Sequence, residues 1–190
     1  MEEVLKDKIF YENSGGGITL SGGEPMYQFE FTHELLKEAK KQGLHICMET
    51  CGFAKEESYR KIADLVDIFL FDYKETNSHK HKEFTGVSNE LIIKNLMMLD
   101  ALGCKIILRC PIIPTLNDTE EHLAGIADIA NKLNNILEIN IEPYHPLGKG
   151  KAQNLGREYA LDDLSFPENA EVEKWIENIS SKTNIPVKKA

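Results

Sequence analysis

Apolar residues recur along this chain in two alternating rhythms. Short apolar runs, rich in β-branched and aromatic residues, occupy Gly17–Leu20, Leu44–Met48, Val66–Phe71, Ile106–Leu108 and Leu137–Ile141. Between them the apolar positions return every three or four residues, the spacing of one helix face. The first such face is Phe31, Leu35, Leu36 and Ala39, with Gly43 as its stop. A second helix is predicted over Glu56–Leu65. The third carries Leu91, Ile92, Leu96 and Leu99, with Ser88 as N-cap and Gly103 after its end. The fourth opens at Asp118, with Glu121 three residues on, a variant of the capping-box spacing. Its face is Leu123, Ile126, Ala127, Ala130 and Leu133. The last begins near Pro167, a residue tolerated in a first helical turn, and carries Val172, Trp175, Ile176 and Ile179. These apolar positions are read as core. Strands alternating with helices predict an α/β fold, a parallel sheet covered by helices. The longest irregular stretch is Pro143–Pro167, rich in glycine and polar residues.

Composition narrows the function more than the fold. At 190 residues the chain suits one domain, residues 1–190, long enough to bury a core. Its 22 basic and 31 acidic side chains leave a net charge of −9, which argues against a basic nucleic-acid footprint. No apolar run approaches a membrane span and no signal-peptide pattern opens the chain, so the expected setting is the cytoplasm. Cys47, Cys51, Cys104 and Cys110 are too few and too irregular for a secreted disulfide framework, and are read as small core residues.

Each apolar run hands over to polar or special residues at its C-terminal end. The first, flanked by glycines on both sides, ends in Ser21-Gly22-Gly23-Glu24-Pro25. The others end in Glu49-Thr50-Cys51-Gly52, Asp72-Tyr73-Lys74, Arg109-Cys110-Pro111 and Glu142-Pro143-Tyr144-His145-Pro146. Taken alone, the glycine-flanked run reads as an ordinary strand entering a tight turn. Glycine pairs also occur where backbone must approach a ligand or take positive φ. Ligands of parallel α/β sheets bind at the C-terminal strand ends, so five such exits in register point to one site. Its charges are mixed: Glu24, Glu49 and Asp72 against Lys74 and Arg109. A zwitterionic ligand suits that set. A solvated strand end remains open for Asp72 and Lys74, a structural ion pair for Arg109, and a packing role for His145. His33, His45, His79, His81 and His122 show no ligand-like grouping, and His79 and His81 are placed on a solvated loop. No dinucleotide fingerprint opens the first unit, and the glycine segment lacks the lysine of a phosphate-binding loop.

The segments GGGITLSGGEP (Gly15–Pro25), METCGF (Met48–Phe53), DIFLFDYK (Asp67–Lys74), FTGVSN (Phe84–Asn89), ILRCPIIPTLND (Ile107–Asp118) and EPYHPLGKGK (Glu142–Lys151) together resemble one family. It is the radical S-adenosylmethionine enzymes that activate glycyl radical enzymes, the group of pyruvate formate-lyase activating enzyme. The resemblance implies a partial TIM-like (βα) barrel of parallel strands with outer helices. It implies that Ser21, Gly22, Gly23 and Glu24 hold the methionine amino group of S-adenosylmethionine. Asp72 and Lys74 match a DxK motif whose lysine faces the methionine carboxylate. Glu49 and Thr50 stand where many members have Asp-Thr, near the methionine end and a cation site. Arg109 matches an arginine near the cofactor and the reaction centre, and His145 a histidine against the nucleoside.

The implied partners are a glycyl radical enzyme of the pyruvate formate-lyase type and an electron donor such as flavodoxin. The chain departs from the family at the cluster. A [4Fe–4S] cluster needs three cysteines in CxxxCxxC, whereas Cys47 and Cys51 supply the first gap only and the next position is Ala54. The expectation is therefore a piece without the first βα unit and the cluster-binding segment, with no metal ligands of its own and inactive by itself. An incomplete barrel is expected to self-associate through its open edge. The alternative is a non-catalytic module that binds S-adenosylmethionine or docks the partner.

Overall fold

The computed structural model describes residues 1–146, 150, 156, 161 and 164–190. Two short helices, α1 (Glu2–Leu5) and α2 (Lys8–Ser14), lead into strand β1 (Gly17–Leu20). A 3-10 turn (Pro25–Gln28) then runs into α3 (Phe29–Lys41). The chain continues through β2 (His45–Thr50), α4 (Glu56–Ile62), β3 (Ile68–Asp72), α5 (Ser78–Thr85), α6 (Glu90–Ala101) and β4 (Ile106–Ile112). It closes with α7 (Glu120–Asn131), β5 (Ile136–Pro143), α8 (Asn169–Ser180) and β6 (Val187–Lys189). Among the described residues the six strands are all parallel and stand side by side in chain order, from β1 at one edge to β6 at the other. The edges do not meet, so the sheet is an open part of a barrel. This is the α/β fold that the alternating rhythm predicts.

Burial along the strands follows a period of two. Ile46, Met48, Phe69, Phe71, Ile106 and Leu108 are fully buried beneath the helices. Their neighbours Cys47, Glu49, Leu70, Asp72, Ile107 and Arg109 face the other side and are half-buried. That second face would be the inside of a closed barrel. Pairing registers put Asp72 beside Arg109 and Pro111 beside Glu142, so the charged residues of four strands share this face.

Several expectations shift in detail. The caps of α6 and α7 are Asn89 and Thr119, not Ser88 and Asp118, and only Thr119 accepts from an amide, that of His122. Phe31, placed in the core by its spacing, is 67% exposed beside the β1 edge. His81 lies on a helix rather than a solvated loop. It is buried, with Nδ1 2.7 Å from the Val87 carbonyl oxygen. Most of the stretch Pro143–Pro167, including Leu147, Gly148, Lys149 and Lys151 of the last motif, lies outside the described residues.

Candidate functional site

A cavity of about 250 Å³ opens at the C-terminal ends of β1 to β5. Every strand exit named from the sequence contributes to it, through Ser21–Pro25, Glu49–Cys51, Asp72 and Lys74, Arg109 and Pro111, and Glu142. His145 is the exception. It sits two residues beyond β5, exposed, and does not line the cavity.

The two glycine clusters have different causes. A Cβ on Gly17 would lie 1.9 Å from the His45 carbonyl oxygen, so that glycine lets β1 lie against β2. Gly22 has φ 134°, a conformation L side chains avoid, and the space before it is open. The second cluster thus leaves a bare backbone facing the cavity.

Glu24 fastens the first two exits together. Its Oε1 accepts from the Met26 amide at 3.1 Å and the Thr50 hydroxyl at 2.9 Å, while Oε2 accepts from the Cys51 amide at 2.8 Å. Three of about four acceptor positions on the carboxylate are therefore taken by protein. Thr50 is buried and shares its hydroxyl with that of Tyr59 at 2.6 Å. Burial, with Glu24 nearby, holds the Tyr59 phenol far above its ordinary range.

A chain of charges crosses the other exits. Ser21 donates to Glu49, and Arg109 reaches Glu49 through Nη1 at 2.7 Å and Glu142 through Nε. The bond to Glu142 is the largest of the influences that hold the guanidinium charged, against the cost of its partial burial. Lys74 Nζ pairs with Asp72 Oδ2 at 2.6 Å. Among the described residues that line the cavity, Glu24, Glu49, Asp72 and Glu142 stand against Lys74 and Arg109, an excess of two carboxylates. A ligand with net positive charge is favoured there.

Glu142 and Cys51 also line the cavity, although their sequence context assigns neither an individual role. The available sequence signal for Glu142 is its place directly after the apolar run Leu137–Ile141, and the register then sets it opposite Pro111. The Cys51 thiol is pushed up to about 11, first by burial and then by its bond to Glu24. The other cysteines stand elsewhere. Cys110 is buried in the core with its thiol well above the ordinary range, and Cys104 bonds the Ala63 carbonyl. Among the described residues no three metal-ligating side chains come together. These cysteines do not fit an iron–sulfur cluster, which needs adjacent thiolates. The cavity does fit a zwitterion that carries an extra positive charge.

The family model described as the radical SAM superfamily matches residues 1–127. Trans-4-hydroxy-L-proline dehydratase activating enzyme of Clostridioides difficile is 40% identical over 177 residues, which are 92% of this chain and 58% of that protein. Choline trimethylamine-lyase activating enzyme of Oleidesulfovibrio alaskensis is 38% identical over 190 residues, 98% of this chain and 61% of that protein. The chain thus spans about three fifths of the length of these curated relatives. A crystal structure of a domain of pyruvate-formate lyase-activating enzyme from Bacteroides vulgatus superposes with a TM-score of 0.76 at 26% identity. It covers 92% of this chain and 99% of that one. The chain belongs to the radical SAM superfamily, and its relatives are activating enzymes, the group that its strand-exit motifs resemble.

Proposed function

We propose that this chain forms the S-adenosylmethionine-binding face of an enzyme that abstracts a hydrogen atom from a backbone glycine of a glycyl radical enzyme. The observation that carries the reading is the convergence of five strand exits on one cavity with mixed charge and excess carboxylate. S-adenosylmethionine has an ammonium, a carboxylate and a sulfonium, so it is a net monocation. Lys74 supplies the cation for the carboxylate. Asp72 and Glu49 supply acceptors for the ammonium, and the bare Gly22–Gly23 backbone lets the ligand approach closely. Arg109 is held between Glu49 and Glu142, and its proposed role is beside the partner's glycyl loop. When bound and reductively cleaved, S-adenosylmethionine supplies the hydrogen-abstracting chemistry. The partner is proposed to be of the pyruvate formate-lyase type, the reductant a flavodoxin, and the setting the cytoplasm. The dispersed cysteines favour one second reading, a module that binds the cofactor or docks the partner without turnover.

Calorimetric titration of this chain with S-adenosylmethionine tests the reading. Lys74→Ala should weaken binding by roughly tenfold, the order of one charge-assisted hydrogen bond. Unchanged affinity would remove Lys74 from the site, and no heat with the native chain would defeat the assignment. Release of 5′-deoxyadenosine by the reduced, cluster-bearing protein would separate turnover from mere binding.

A further inference from the structure

Three buried asparagines stand behind the strand exits and use their side-chain amides alike. Asn95 donates to the Gly52 and Ala54 carbonyls, both at 2.8 Å, just past β2. Asn89 donates to the Glu75 and Thr76 carbonyls, both at 3.0 Å, past β3. Asn117 donates to the Lys74 carbonyl at 2.9 Å and the Pro111 carbonyl at 2.8 Å, and its Oδ1 accepts from the Ile113 amide at 2.7 Å. A buried carbonyl without a partner is costly, so chain leaving a sheet ladder needs such donors.

Asn117 differs from the other two in what it joins. Its two carbonyls belong to different strand exits, and Lys74 and Pro111 both line the polar cavity. A backbone bond from the Tyr73 amide to the Arg109 carbonyl, 2.7 Å long, ties the same two exits one residue earlier. The β3–β4 pairing register ends at Asp72 and Arg109, so Asn117 bridges the two chains where the ladder has run out.

We propose that Asn117 is a positioning residue of the cavity. It fixes the β3 exit against the β4 exit, and so places the Asp72–Lys74 pair relative to Arg109. The proposal rests on reading the cavity as the S-adenosylmethionine site, where small displacements of a binding group are costly.

Asn89 supplies the control. It is 3% exposed against 4% for Asn117, clamps two carbonyls of the same loop, and its side-chain amide bonds no residue that lines the polar cavity. Asn117→Ala and Asn89→Ala should both lower the unfolding midpoint. Only Asn117→Ala should speed hydrogen exchange at the Tyr73 amide, by roughly tenfold, through local opening. Only Asn117→Ala should weaken S-adenosylmethionine binding, again by roughly tenfold, and in a Lys74→Ala background that loss should shrink to about twofold or less. Equal effects of the two variants on exchange and affinity would overturn the proposal, as would full additivity with Lys74→Ala. If the native chain binds no S-adenosylmethionine, or Lys74→Ala changes nothing, the cavity reading fails and Tyr73 exchange still decides on Asn117. Should Asn117→Ala not fold, Asn117→Gln replaces it. Failure of both to fold would make Asn117 a residue of the fold alone and overturn the proposal.

Discussion

Thr115 has φ 66°, the only positive value at a non-glycine residue among those described. The turn Ile113–Leu116 closes with the Leu116 amide donating to the Ile113 carbonyl at 3.1 Å, with Pro114 second and Thr115 third. Proline second and positive φ third is the pattern of a type II turn, which favours glycine in third place. A β-branched side chain there is strained by about 1–3 kcal/mol. Glycine would relieve that strain while adding about 0.5–1 kcal/mol of chain entropy to the unfolded state. The strain outweighs the entropy, so Thr115→Gly should raise unfolding stability by about 1 kcal/mol. A urea titration of both proteins checks this, and a lower midpoint in the variant would show that the turn is not strained. Asn117, two residues on, braces the turn by accepting from its Ile113 amide and donating to the Lys74 and Pro111 carbonyls.

At the level of elements, α7 meets the β3 exit through His122, which is fully buried. Its Nδ1 accepts from the Thr76 amide at 3.1 Å, and Glu75 Oε1 at 3.9 Å is beyond hydrogen-bond reach. Burial, with Lys80 nearby, pushes the imidazole down to about 4 from 6.5. The unfolded chain therefore takes up a proton below 6.5 that the folded chain refuses until about 4. Stability is full above the higher value and falls towards the lower one, by at most about 3 kcal/mol from this group. His122→Asn should flatten the decline of the unfolding midpoint between those limits, and parallel declines in the two proteins would exclude His122 as the source. The sequence showed neither this contact nor α5. That helix has no apolar period, and its signals are caps: Asn77 accepts from the His79 and Lys80 amides, and Gly86 ends it at φ 87°. Five strands were legible because unbroken apolar runs leave few alternatives, although β2, β3, β4 and β5 run past the C-terminal ends of theirs. β4 continues through Pro111, two residues past the end of the β3 register, so its missing amide breaks no bond of that ladder. β6, three residues with two lysines, carries no periodic signal. The cavity residues were legible as a group because each follows an apolar run. How they pair was not, because Arg109 meets Glu49 and Glu142 across distances set only by strand register.

The whole molecule is a parallel sheet with two unlike edges. At the β6 edge Lys188 pairs with Glu138 and Lys189 with Asn169, charges of the kind that discourage further strand pairing. Strand β1, Gly-Ile-Thr-Leu, carries no charged residue of its own. Ile9, Phe10 and Phe31 are exposed large apolar residues on the helices adjoining β1 in the chain, and Leu20, Phe31 and Leu35 line a cavity of about 220 Å³ beside its exit. An unpaired strand edge with apolar neighbours is a template for another chain. The net charge of −9 opposes association. Charge repulsion between exposed groups is screened within roughly 10 Å at moderate salt, whereas apolar burial is not. Association should therefore win as salt rises. Sedimentation velocity is expected to show this chain moving from monomer to larger species with increasing concentration, more strongly in high salt. Phe31→Ser should shift that equilibrium back towards monomer while leaving the unfolding midpoint nearly unchanged, because the side chain is already two-thirds in water. A monomer at every concentration and salt level would show that the β1 edge is shielded by its own helices, and would remove self-association from the behaviour of this chain.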